Sequence, residues 1–238
     1  MVVEADGSGG DLMIRFGLPH TPSLLDVAAA ARQPHPGSLL GAVSELPFGV
    51  RAVVAPPGHG PSSEATRLLG GEGGLRVLRG ADGDTGVVLM DVGRLSGDVE
   101  PLLRSADQVV VVTRGGAEPL THVSAYGIDA DLRARATLAV VGPSPYPVEE
   151  IAGALDIERV AALPWDARCV AAMSGARSGV LRTSGFRTPP LMVAARALAA
   201  RLVASPERRS EDGPGHGAPV AVAKRGRGGE TGDEGSES

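Results

Sequence analysis

The sequence predicts an α/β protein built on a three-layer, mostly parallel sheet. Short valine-rich runs recur along the chain and are near-continuous rather than alternating, which is how strands buried on both faces read. Longer polar or alanine-rich segments separate them, and strands alternating with helices give a parallel sheet between helix layers. The core must be aliphatic: hydrophobic residues make up 42% of the 238 residues, and aromatics only 3%.

In chain order the expected strands are Val2–Ala5, Val50–Ala55, Val87–Val92, Gln108–Thr113, Thr137–Gly142 and Arg159–Leu163. Between them the spacing predicts helices over Ser23–Arg32, Ser62–Leu69, Val99–Ser105, Glu118–Tyr126, Val148–Leu155 and Ala167–Ser174. A last helix, Pro190–Ala204, opens with prolines suited to a first turn. Residues 1–204 therefore read as one domain. From Ser205 to Ser238 glycine, glutamate, arginine and serine dominate, and apart from Ala218–Ala223 there is little aliphatic surface to offset chain entropy. That segment is expected to be a disordered, solvated tail.

Composition excludes several classes. The formal charge of -5 is spread along the chain, with no basic block in the domain to mark a nucleic-acid face. The chain has one lysine, Lys224, in the tail, and no asparagine, so chemistry that needs a lysine within residues 1–204 is closed to it. One cysteine, Cys169, leaves no internal disulfide and no cysteine zinc cluster. No basic-then-apolar leader is visible, and no apolar run approaches the ~20 residues of a membrane span. A cytoplasmic protein is expected. The arginine-for-lysine bias matches a GC-rich bacterial genome.

The opening stretch, Val2-Val3-Glu4-Ala5-Asp6-Gly7-Ser8-Gly9-Gly10-Asp11-Leu12, carries the most information. A buried strand delivers acidic residues at its carboxyl end, where open α/β sheets bind ligands, and glycines then turn the backbone. It reads in three ways. A dinucleotide or methyl-donor turn is one, although Asp6 stands where a close-approach glycine belongs and Val50–Ala55 ends in Pro56-Pro57 instead of an acidic residue. A strand and turn with no further role is the second.

The third is a family resemblance, and it spans residues 1–204. Glu4, Asp6, Gly9, Gly10, Asp11, Leu12, Phe16, Gly17 and Leu18 resemble the second strand and following loop of ParA/MinD-type P-loop ATPases. Val87-Val88-Leu89-Met90-Asp91 resembles the Walker B strand of that family, and Leu102–Thr113, with Ala106-Asp107, its next helix and strand. Leu163-Pro164-Trp165-Asp166-Ala167-Arg168 is similar to the turn that lines the adenine. The Glu-Ala-Asp and Gly-Gly-Asp-Leu variants look like an actinobacterial branch.

The resemblance implies a P-loop NTPase-like fold with ATP and Mg²⁺ as cofactors. Asp6 would orient the attacking water, with Glu4, Gly9 and Gly10 around the nucleotide. Asp91 would hold the metal through water, and Pro164 and Asp166 would border the base. It also implies a homodimer or a partner protein, with DNA or membrane contact expected only by analogy. The function the resemblance implies is chromosome or plasmid partitioning or the positioning of cell machinery, without ATP hydrolysis by the chain as given; the alternative is a non-enzymatic pseudo-ATPase scaffold or regulator acting through a protein partner.

The sequence departs from that pattern in one large respect. No GxxxxGK(S/T) occurs in it, so the amide cradle for phosphate and the hydroxyl for Mg²⁺ are both missing. The family's first strand is central, and a sheet lacking it is expected to expose two apolar edges. Such a sheet would close up, borrow a strand from a partner, or belong to a reading frame that starts upstream of Met1. The base-reading asparagine is also absent, with Gly142-Pro143 in its region.

Weaker signals point to structure. His20, His35, His59, His122 and His216 have no ligand spacing. Asp82-Gly83-Asp84 and Asp129-Ala130-Asp131 lack the rest of a calcium loop, and no serine sits in a nucleophile elbow.

Overall fold

A computed structural model of the chain describes residues 1–35, 37–46, 49–80, 86–173 and 188–204. The chain divides into Met1–Pro206 and Glu207–Ser238, and all that follows concerns the first unit. The expected tail, His216 and the Asp82-Gly83-Asp84 segment lie outside the described residues.

The strands are β1 (Val2–Glu4), β2 (Ser44–Leu46), β3 (Val50–Val53), β4 (Leu89–Asp91), β5 (Val109–Arg114), β6 (Ala136–Val141) and β7 (Val160–Leu163). The helices are α1 (Leu12–Phe16), α2 (Leu24–Ala30), α3 (His59–Leu69), α4 (Glu72–Arg79), α5 (Glu100–Ser105), α6 (Ala117–Tyr126), α7 (Ala130–Arg135), α8 (Val148–Leu155), α9 (Ala167–Met173) and α10 (Pro190–Ala204). Each expected strand run holds a strand. β2, α1, α4 and α7 are additions to the sequence reading.

Local chemistry explains several boundaries. Ser23 and Asp26 form a reciprocal capping box that starts α2. Gly17 ends α1 in the left-handed conformation, at φ +62°, where a Cβ would be strained. Asp129 accepts a hydrogen bond from the Leu132 amide and caps α7, and Asp131 pairs with Arg135 one turn on. Those two aspartates are thus helix-forming groups.

The strands form two sheets, ordered β2-β3-β1-β4 and β5-β6-β7. All pairings are parallel except the β2–β3 hairpin. Two apolar edges are the expectation for a sheet without the family's central strand, and among the described residues β4 pairs with β1 alone and β5 with β6 alone, so the order breaks between the strand that carries Asp91 and the strand that follows Asp107.

Each sheet has its own core. Val3, Ala5, Val53 and Ala55 pack against Leu24 and Val27 of α2, Ala65 and Leu69 of α3, and Val77 and Leu78 of α4. The opposite face carries a small cluster, Met13, Leu46, Ala52 and Val54. Val109, Val111, Leu138 and Val140 pack against Leu103, Val123, Leu132 and Ile151 from the helices around the second sheet. Val92, just past β4, touches both major cores. Each fully buried aliphatic side chain contributes roughly 1.5–3 kcal/mol of transfer free energy, so these clusters dominate stability.

Candidate functional site

The carboxyl end of the first sheet gathers Glu4, Asp6, Gly9, Gly10 and Asp91. β1 and β4 are in register with Glu4 opposite Asp91, so the chain segments beyond them emerge side by side. Gly93, at φ +68°, lies directly against Asp6: a Cβ there would stand 2.2 Å from the Asp6 carboxyl carbon. Asp6 Oδ1 accepts from the Ser8 amide at 2.8 Å and the Ser8 hydroxyl at 2.7 Å. Asp91 is exposed, and its Oδ1 accepts from the Gly93 amide at 3.1 Å. Two carboxylates thus flank one turn at the ligand-binding edge of a parallel sheet.

Glu4 faces inward. It is only 4% exposed. Its Oε1 accepts from the amides of Asp11 (2.8 Å) and Leu12 (3.0 Å), and its Oε2 from the amide of Ala55 (2.9 Å). A buried carboxylate is tolerated when amide donors replace its water, and three do so here. Glu4 therefore ties β1, the start of α1 and the end of β3 together.

Gly9 and Gly10 have an equally internal reason. A Cβ on Gly9 would lie 2.5 Å from the Gly58 nitrogen, and one on Gly10 would lie 2.4 Å from the Ala55 carbonyl oxygen. Only glycine lets these backbones approach so closely. The packing of one loop on the next accounts for both residues without a ligand. His59 closes the same loop, with Nδ1 2.8 Å from the Gly7 carbonyl oxygen.

Pro164 and Asp166 stand at the carboxyl end of the second sheet, beyond β7. Asp166 Oδ1 accepts from the Cys169 amide at 2.9 Å and so caps α9. Burial pushes the Cys169 thiol above its ordinary pKa, with the Asp166 charge adding to the effect. A pair that the sequence reading did not single out lies alongside: the Arg114 guanidinium sits 5.5 Å from the centre of the Trp165 ring. Trp165 is 56% exposed, so a wide aromatic face remains open beside a fixed cation. An aromatic between Pro164 and Asp166 was visible as a signal, but its partner 51 positions earlier was not.

Two carboxylates fit a hydrated magnesium ion, which takes one or two protein carboxylates and completes its octahedron with water and phosphate oxygens. Among the described residues no group of three or more His, Cys, Asp or Glu converges on a metal position. Phosphate groups fit poorly. The described residues contain no lysine and no phosphate-loop glycine pattern, and the glycines beside Asp6 are filled by neighbouring backbone.

Parallel strands joined through helices, with acidic residues at the carboxyl ends, define an α/β protein, and the P-loop NTPase-like form of that fold is what it shares with a solved structure. No family model and no curated protein matches the sequence. Among solved structures, the chain is similar to a ParA family ATPase from Chlorobium tepidum TLS, with a TM-score of 0.62 over 83% of this chain and 83% of that one. Identity over the match is 15%, so the likeness is one of fold. Among the described residues, no helix is long and apolar enough to cross a membrane.

Proposed function

We propose that this chain is a ParA/MinD-like protein that carries the water-and-magnesium half of a nucleotide site and does not hydrolyse ATP by itself. One observation carries the reading: Asp6 and Asp91 occupy neighbouring strand ends in a ParA-like fold, while residues 1–223 contain no lysine. In phosphoryl transfer, catalysis is positioning plus charge stabilisation, and the loop and lysine that cradle the phosphates supply much of both. Asp91 would hold magnesium through water and Asp6 would orient a water molecule; neither grips a phosphate. Pro164, Trp165 and Asp166 would border a base, with Trp165 offering the stacking face.

A protein so built acts through protein contacts, as a scaffold or regulator in partitioning DNA or in positioning cell machinery, and by its ParA/MinD resemblance it pairs with itself or with a partner protein. The actinobacterial assignment belongs to this same reading and rests on the Glu4-Ala5-Asp6 and Gly9-Gly10-Asp11-Leu12 variants. Calorimetry with the full 238-residue chain and Mg²⁺-ATP or Mg²⁺-ADP tests it. The expected result is no binding heat, and Mg²⁺-dependent micromolar binding would overturn it.

A further inference from the structure

We propose that Arg114 and Trp165 form a docking site for a partner protein, and that the site takes a segment in which one carboxylate side chain is flanked by aliphatic ones. This rests on the reading of the chain as a scaffold: with the phosphates of a nucleotide ungripped, the open face of Trp165 is left to a protein.

The three loops around the pair hold one another in place. Arg114, Val141 and Leu163 are level across β5, β6 and β7, so the loops after them start side by side. A Cβ on Gly115 would stand 2.3 Å from the Ser144 Cβ, so these two loops are in contact. Ser144 Oγ donates toward the Gly115 carbonyl oxygen at 3.1 Å and accepts from the Tyr146 amide at 3.1 Å. Gly142 lies against Trp165: a Cβ there would be 3.6 Å from the Trp165 Cβ. Trp165 thus leans over the end of β6, where Arg114 reaches it from β5. A platform already locked in this way loses little freedom on binding.

The two side chains say what kind of segment fits. A guanidinium held over a ring keeps N–H donors free for an oxyanion. Neither Arg114 nor the exposed Arg168, in the first turn of α9, has a carboxylate partner among the described residues. A planar fork with unpaired donors matches a carboxylate through two parallel hydrogen bonds. Beside it the half-open indole offers a broad apolar surface for an aliphatic neighbour of that carboxylate. Tryptophan and arginine are also the side chains on which protein interfaces most depend.

The surroundings set the charge count. Glu118 stands in the first turn of α6, and Glu149 and Glu150 in that of α8. Asp166, beside Trp165, already accepts from the Cys169 amide. The carboxyl end of this sheet therefore carries four carboxylates that would repel a phosphate dianion or a run of acidic residues. A single carboxylate between aliphatic side chains meets the least of that repulsion and still fills the fork.

Fluorescence anisotropy on the full chain tests this, with the capped, dye-labelled peptide Ser-Leu-Glu-Leu-Ser as the probe. The expected result is saturable binding that weakens at least about tenfold in Arg114→Gln, in Trp165→Ala, and when the probe's glutamate is replaced by glutamine. The glutamine probe needs no variant, so a misfolded mutant cannot decide the matter. Arg79→Gln, which removes an exposed arginine at the end of α4, should leave binding unchanged. Replacing both probe serines by glutamate should not tighten it. No saturable binding, equal binding of the glutamine probe, equal loss in Arg79→Gln, or tighter binding of the triply acidic peptide would overturn the proposal. So would binding of a phosphoserine form alone, which would give the fork to phosphate. Probe release as protein concentration rises would give the site to a second copy and overturn it too. Nucleotide is absent throughout, so failure here leaves the calorimetric test of the scaffold reading untouched.

Discussion

The run Thr137–Gly142, which holds most of β6, and the run Val87–Val92, which holds β4, are equally aliphatic in sequence. In the structure five of the six residues of β6 are buried, whereas Leu89 and Asp91 of β4 are exposed and Met90 is half-buried. β6 has a strand on each side and helices over its core face. Among the described residues β4 has one neighbour, and Val87 and Leu89 are exposed. Apolar sequence sets what a strand can bury; the count of neighbours sets what it does bury.

The sharpest way to break that comparison is to truncate one leucine from each strand. Leu138→Ala in β6 removes a fully buried side chain and should cost about 2–5 kcal/mol, as large-to-small core changes do. Leu89→Ala in β4 should shift stability by no more than about 0.5 kcal/mol, the range of exposed substitutions. Urea unfolding of the two variants gives both numbers, and similar losses would mean that β4 is covered in solution.

A smaller effect is expected at Glu4, which stabilises the four-stranded half by hydrogen bonds in place of neighbouring strands. Glu4→Gln keeps one oxygen for the Asp11 and Leu12 amides but turns an NH₂ group toward the Ala55 amide. Leaving that donor unsatisfied should cost about 1–3 kcal/mol by denaturant melt. A neutral result would show that the Glu4 carboxylate is not the tie between β1, α1 and β3.

The smallest concerns Asp129 in the three-stranded half. The Leu132 amide, more than the nearby Arg104 and Arg135 charges, holds its carboxyl below the usual aspartate pKa. A pKa lowered on folding adds stability above the unfolded value, and that contribution is lost as pH falls through the lowered folded one. Proton release followed by NMR should therefore place Asp129 below ordinary aspartates, and Asp129→Asn should flatten the acid limb of stability below about pH 4. An ordinary titration would remove the cap from the account of α7.

Most of the fold was legible because its signal is periodic. The long valine runs and the Pro190–Ala204 helix carry it over many residues. β2 was not, since Ser44-Glu45-Leu46 is a three-residue, half-polar edge that only its pairing with Val50–Ala52 defines. α4 hides behind Gly73 and Gly74, whose poor helix propensity is overridden by packing against the residues before it. At the site, the positions of Asp6 and Asp91 follow from strand-end chemistry. The inward turn of Glu4 does not, because it depends on amides 7, 8 and 51 residues away.

Trp165 is the single tryptophan of the chain, and it sits under the Arg114 guanidinium at one end of one sheet. Its emission is therefore an optical signal from that spot alone. Indole fluorescence reports on the carboxyl end of β5–β7, with no label added, while tyrosine and backbone signals average over the rest of the molecule.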